Sequence, residues 1–311
     1  NGHSDPWKVK WWSIGNEMYG GWQLGHMPTE EFVKKHNAFV DAMRSVDPEI
    51  KIIAVGDLGD WDRMVLSNCA DKMDFISEHF YRGEGNGGGL MSHVRQVPDA
   101  IREKAEAHRN YRKEIRALDG RDIRICMDEW NYWYGPHIYG ELGTRYFMRD
   151  AMGIAAGFNE FSKHTDMIFM ANYAQTVNVI GAIKTSTTDA IIDATGMVMK
   201  LYRKRFGVIP VEIGGELRPL DVGAALTSGG DTLTVSIVNP TYGELQVPIS
   251  LKGASVNGKI IEWNVTGLDE MSTNEPGQET NVKITGPEIL KSSSTITVKP
   301  VSISIFAIPL R

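Results

Sequence analysis

Through residue 207, short apolar runs alternate with longer stretches in which apolar side chains recur every three to four positions. A continuous apolar run between turn formers reads as a strand buried on both faces. A recurrence near 3.6 reads as a helix with one apolar face. The pattern predicts strands over 9–14, 50–55, 73–80, 123–127 and 167–171, and helices over 29–46, 61–70, 94–118, 142–161 and 190–206. Strand–helix alternation at this spacing implies parallel βαβ units with right-handed crossovers. Beyond 207 the period shortens. Alternating runs over 232–238, 246–251, 259–265, 281–284 and 294–298, bounded by Gly, Pro, Asn or Ser, predict half-buried antiparallel strands and a small β-sandwich. Composition changes at the same place, since all eight His and both Cys lie before it. The expected division is 1–207 and 208–311.

Five βα units fit an open doubly wound sheet or part of an eight-stranded barrel. The residues that follow each strand favour the barrel: Gly15-Asn16-Glu17, Gly56-Asp57, His79-Phe80-Tyr81, Asp128-Glu129-Trp130 and Asn172-Tyr173-Ala174-Gln175. Reactive side chains at the C-terminal ends of many different strands are the pattern of a barrel's catalytic face.

Composition narrows the function. A net charge of −6 repels phosphate, which argues against nucleic acid or an anionic membrane surface as the main partner. No apolar run approaches the ~18 residues a membrane-crossing helix needs. Two cysteines, Cys69 and Cys126, exclude a disulfide scaffold and fit a reducing compartment. The first residue is Asn, which suggests a processed or truncated N-terminus.

Two carboxylates carry the chemistry. Glu17 and Glu129 each sit where a strand opens onto the barrel mouth, three strands apart in order. A carboxylic acid and a carboxylate flanking a glycosidic bond are the minimal machinery for its hydrolysis: one protonates the leaving oxygen, the other attacks the anomeric carbon. Their surroundings must push their pKa values apart. Trp12, Tyr81, Trp130, Trp133 and Tyr134 would suit the apolar faces of a sugar, with Trp130 the one better explained by packing. A single strand-end Glu is more often a surface salt-bridge partner; two of them flanked by Asn and Trp favour the catalytic reading. His79 fits a hydrogen-bonded structural role as well as a catalytic one, and the role of His137 is open. Gly83-Glu84-Gly85-Asn86-Gly87-Gly88 matches a dinucleotide fingerprint but opens into no helix directly, so it reads as a loop. The mixed charges over 102–116 read as a solvated helix face. No His-Glu-x-x-His or Cys-x-x-Cys spacing suggests a metal.

Trp12-Ser13-Ile14-Gly15-Asn16-Glu17 resembles the strand-four acid/base motif of the large barrel clan of retaining glycosidases. Met127-Asp128-Glu129-Trp130-Asn131-Tyr132-Trp133-Tyr134 resembles the strand-seven nucleophile motif of the α-L-arabinofuranosidases of glycoside hydrolase family 51, and Ala174-Gln175-Thr176-Val177-Asn178-Val179-Ile180 is similar to their strand-eight segment. The resemblance implies the C-terminal part of a (β/α)8 TIM barrel, strands four to eight, followed by a β-sandwich. It implies Glu17 as general acid/base, Glu129 as nucleophile, and Asn16, Tyr81, Trp133 and Gln175 as substrate-binding residues. It also implies a retaining double displacement without cofactor or metal on arabinose-containing oligosaccharides or polysaccharides, by a homo-oligomeric cytoplasmic enzyme. By this resemblance three βα units that would precede Val9 are absent. The competing expectations are an endo-glucanase or xylosidase of the same clan, and a non-catalytic carbohydrate-binding remnant.

Overall fold

A computed structural model of the chain describes residues 2–311 except 86, 136–139, 141–142 and 292–294. His137, Asn86, the expected helix start at Leu142 and the strand start at Ser294 therefore lie outside the described residues.

The barrel segment runs β1 (Trp11–Ser13), α1 (Thr29–Val46), β2 (Lys51–Ala54), α2 (Asp60–Cys69), β3 (Phe75–Arg82), α3 (Gly89–Glu114), β4 (Arg124–Tyr132), α4 (Met148–Lys163) and β5 (Ile168–Tyr173). The five strands form one sheet in the order β1-β2-β3-β4-β5, with β1–β2, β2–β3 and β4–β5 paired in parallel. β2 is apolar on both faces, with Ile52, Ile53 and Ala54 all buried. On the edge strands Trp11, Trp12 and Phe169 are exposed, because β1 and β5 each have a strand on one side only. The sheet curls enough for side chains of its first and last strands to meet. The Trp11 and Phe169 rings lie 6.3 Å apart, and Phe169 stacks on Phe75 at 4.3 Å. This is a segment of a (β/α)8 barrel.

The expected helix over 190–206 resolves into two elements. β6 (Ile183–Thr185) and β7 (Ala190–Ile192) form a hairpin, and α5 (Ala194–Arg205) starts after Asp193. The Asp193 carboxylate accepts the Ala194 N–H at 2.7 Å, an N-cap that fixes the boundary. α3 begins at Gly89, not 94, and contains Pro98. Its charges are not all solvated. Lys104 and His108 are buried, four residues apart on the stripe that also carries Ile101 and Ala105.

The sandwich comprises β8 (Ile209–Pro210), β9 (Asp221–Leu226), β10 (Thr232–Asn239), β11 (Leu245–Pro248), β12 (Ile260–Thr266), β13 (Lys283–Leu290), β14 (Thr295–Val298) and β15 (Ser302–Pro309). Six strands form an antiparallel sheet in the order β13-β12-β15-β10-β9-β8, and β11 pairs with β14. Alternate residues from both ladders, among them Leu233, Val235, Ile237, Ile296, Val298, Phe306 and Ile308, fill one apolar core.

The contacts divide the chain into two compact units. One holds the residues through Phe80, Arg102–Trp130 and His164–Tyr173; the other holds Tyr81–Ile101, Asn131–Lys163 and Ala174–Arg311. In the second, α4 and α5 belong with the sandwich. Tyr202 Oη donates to the Ala155 carbonyl at 3.1 Å, and Asn159 Nδ2 donates to Asp221 at 2.8 Å.

Candidate active site

After β1 the chain leaves the sheet through Gly15, whose φ of +97° suits a residue without a side chain. Glu17 itself takes φ +47°. A non-glycine residue in that region costs about 1–2 kcal/mol, and such strain concentrates at functional sites. Oε1 of Glu17 lies 2.9 Å from His79 Nδ1, while Oε2 accepts from Trp22 Nε1 at 2.8 Å and Gln23 Nε2 at 3.2 Å.

β3 supplies the centre. Its period of two puts Ser77 and His79 on one face and Glu78 on the other. His79 Nδ1 is also 3.0 Å from Glu129 Oε2, and Nε2 is 3.1 Å from Asp128 Oδ1, which Ser77 Oγ bonds at 2.6 Å. One imidazole thus bridges three carboxylates from two segments, the loop after β1 and β4, and ligand atoms of Glu17, His79 and Glu129 all lie within 4.8 Å of one another.

Burial by itself would lower the His79 pKa. Hydrogen bonds to Asp128, Glu129 and Glu17, with the charge of Asp128, outweigh it and raise it to about 10. At neutral pH the ring is an imidazolium, and both nitrogens donate. For Glu17, burial raises the pKa, but the donors His79, Trp22 and Gln23 and the imidazolium charge leave it below the ordinary carboxylate value. A raised histidine pKa stabilises the fold fully below the unfolded value of 6.5, and that contribution disappears as pH rises through about 10. The thermal midpoint should therefore fall across that window, and fall less in His79→Gln; equal slopes in the two proteins would disprove the assignment.

On the other face of β3, Glu78 Oε2 meets Lys104 Nζ at 2.5 Å and Oε1 meets His108 Nε2 at 2.8 Å, with Asp62 Oδ2 3.3 Å from the same nitrogen. All four side chains are buried. Burial would raise Glu78, but the Lys104 charge and His108 hold it down to about 2. Burial and the Glu78 charge push Asp62 up to about 7. Both triads, Glu17–His79–Glu129 and Asp62–Glu78–His108, are spaced to hold a cation; in each the histidine, its pKa raised to about 10 and about 9, is the cation between the carboxylates.

Of the residues singled out from sequence, Glu17 and Glu129 come together around His79 in the first unit, and Asn16 is exposed beside Glu17. Tyr81, Trp133 and Gln175 belong to the second unit, where the Tyr81 and Trp133 rings meet edge-on at 5.1 Å and Gln175 is exposed. Trp130 is fully buried. Sequence reasoning left His79 open and passed over Trp22 and Gln23. The signal for those two was their place in the loop just beyond Glu17.

Two carboxylates from different strands of a curled β/α sheet, converging on one point, define the class of barrel glycosidases. Comparison with known proteins narrows this to a family. The sequence model described as "Alpha-L-arabinofuranosidase C-terminal domain" matches residues 128–302, more than half of the chain, and "Alpha-L-arabinofuranosidase 1 domain" matches 1–112. Alpha-L-arabinofuranosidase C of Emericella nidulans is 28% identical over 90% of this chain and 62% of its own length. "Intracellular exo-alpha-(1->5)-L-arabinofuranosidase 1" of Bacillus subtilis is 26% identical over 81% of this chain and 57% of its own. The α-L-arabinofuranosidase of Thermotoga maritima, solved as an arabinose complex, superposes with a TM-score of 0.89 at 29% identity, covering 99% of this chain and 68% of that one. The chain belongs to the α-L-arabinofuranosidases of glycoside hydrolase family 51. It spans about three fifths of the length of the curated relatives it matches. Among the described residues no helix is long and apolar enough to cross a membrane.

Proposed function

We propose that this chain carries the catalytic pair of a retaining α-L-arabinofuranosidase that releases terminal arabinofuranosyl residues from arabinoxylan, arabinan or their oligosaccharides. The observation that carries the reading is the approach of Glu17 and Glu129 to within 4.8 Å around His79. A separation that short suits a nucleophile in contact with the anomeric carbon; inverting pairs stand about 6.5–9.5 Å apart to admit a water.

In this reading the Glu129 carboxylate attacks the anomeric carbon, the glycosidic C–O bond breaks, and Glu17 protonates the leaving oxygen. Glu17 then takes a proton from water, which attacks the same carbon and frees Glu129. Glu17 is ionised at rest, and the proton it needs sits one hydrogen bond away on His79 Nδ1. Asn16, Tyr81, Trp133 and Gln175 bind the sugar. The catalytic barrel segment occupies 1–207 and the sandwich 208–311. The enzyme works as a homo-oligomer in the cytoplasm on imported oligosaccharides, in keeping with the intracellular bacterial relative.

The test is release of nitrophenol from 4-nitrophenyl α-L-arabinofuranoside, beside the β-D-xyloside and β-D-glucoside, with proton NMR of the first-formed sugar. Turnover of the arabinofuranoside with the α-anomer appearing first is expected. Preference for another glycoside, or the β-anomer first, would refute the reading. Trp22→Phe removes a donor to Glu17, so the limb of the pH–kcat/KM profile that belongs to Glu17 should move to higher pH.

A further inference from the structure

Behind Gln175 the backbone does something costly. Asn178 and Val179 are consecutive non-glycine residues at φ +52° and +47°. Asn tolerates that region because its side chain bonds locally, and here it does so on both sides: Nδ2 donates to Thr185 Oγ1 at 2.8 Å and Oδ1 accepts the Thr185 N–H at 2.9 Å. Val has no such recourse, and its branched Cβ makes it an outlier there. What holds it is its carbonyl, which accepts the Thr144 N–H at 2.7 Å and Lys184 Nζ at 2.9 Å.

Lys184 is unusual in its own right, being fully buried. Its ammonium lies 5.1 Å over the Tyr146 ring, and the charge of the buried Asp193 favours it against the cost of burial. Burying a charged amine is unfavourable, and an apolar side chain would fill the space more cheaply. A packing role therefore leaves the lysine unexplained.

The turn is tied directly to Gln175. The Gln175 N–H donates to the Ile180 carbonyl at 3.3 Å, and its carbonyl accepts from Ala182 at 3.2 Å. Ile180 is in turn fixed by Asn131 Nδ2 at 2.8 Å and Tyr146 Oη at 2.9 Å. Backbone bonds on both sides of an exposed glutamine thus run through the segment whose tightest bend rests on Lys184.

We propose that Lys184 is a positioning residue for sugar binding: its ammonium holds the Val179 carbonyl in a turn the side chain resists, and that turn fixes Gln175. The role in sugar binding rests on the reading of Gln175 as a substrate-contacting residue; the clamp itself does not.

Hydrogen exchange by mass spectrometry separates the two. In Lys184→Met, exchange over 174–183 should rise by about tenfold, the scale of one lost hydrogen bond to a charged donor, while the β10 and β15 strands stay protected. Val179→Gly removes the strain, so Val179→Gly/Lys184→Met should return to near wild-type exchange. Exchange in Lys184→Met within twofold of wild type would overturn the clamp. If Lys184→Met does not fold, folding of the double variant supports the proposal; failure of both means Lys184 serves Asp193 instead, and the proposal falls. On 4-nitrophenyl α-L-arabinofuranoside, Lys184→Met should raise KM by about five- to tenfold with kcat nearly unchanged, and add nothing in a Gln175→Ala background. Multiplying effects would refute action through Gln175. Absence of turnover by the wild type would strike the arabinofuranosidase reading, and the exchange result would still decide the clamp.

Discussion

Glu129→Ala is expected to reduce hydrolysis of 4-nitrophenyl α-L-arabinofuranoside by about four orders of magnitude or more, the scale on which loss of a catalytic nucleophile is felt. Without that carboxylate no arabinosyl ester can form, and the neighbouring groups cannot replace it: Asp128 is committed to Ser77 and His79, and Glu17 to three donors. Glu17→Ala should behave differently. Nitrophenolate leaves without a proton, so the first step survives, and the covalent intermediate then waits for water without a general base. A burst of nitrophenol followed by a slow steady state is expected. On an arabino-oligosaccharide, whose alkoxide leaving group needs the proton, the same variant should lose about 10²–10⁴-fold from the first step onward. Equal losses on both substrates would remove Glu17 from the acid role. Full activity in Glu129→Ala would remove the double displacement altogether.

The positions of these two carboxylates were legible in the sequence because the motifs are local. Asn16-Glu17 and Asp128-Glu129-Trp130 announce themselves at strand ends, and the βα alternation locates them in the barrel. What was not legible depends on distant partners. His79 meets Glu17 and Asp128, 62 and 49 positions away, and nothing around His79 alone distinguishes a bridge between carboxylates from a buried structural ring. The strand Ala190–Ile192 exists because Ile183–Thr185 pairs with it, whereas its own residues continue a helical pattern up to the Asp193 cap. Residues 102–116 misled for a related reason. Charge count reads them as solvated, but helical spacing puts Lys104 and His108 on the stripe of Ile101 and Ala105, facing the sheet. The open edges of β1 and β5 likewise leave Trp11 and Phe169 exposed although their apolar runs read as buried strands.

That buried stripe yields the largest expected effect on stability. Lys104→Met should destabilise the protein by about 3–5 kcal/mol, because it strands a carboxylate in the interior. Glu78 is fully buried and ionised, and Lys104 contributes most to keeping it so. His108 cannot make up the loss, since it already serves Glu78 and Asp62 together. The consequence reaches further than one ion pair. Asp62 Oδ1 accepts the Asp57 N–H at 2.8 Å, and Tyr111 Oη accepts the Gly59 N–H at 2.8 Å, so the group also ties α2 and the loop after β2 to α3. Thermal unfolding should show the midpoint down by on the order of 10 °C. Lys104→Met/Glu78→Gln should recover much of the loss, because the charge left without a partner is gone and a neutral amide can still accept from His108. A Lys104→Met midpoint within a degree or two of wild type would mean that Glu78 takes up a proton when Lys104 is absent. In that case stability of the variant should rise as pH falls below neutrality, whereas the wild type, with Glu78 depressed to about 2, should gain nothing from Glu78 on acidification.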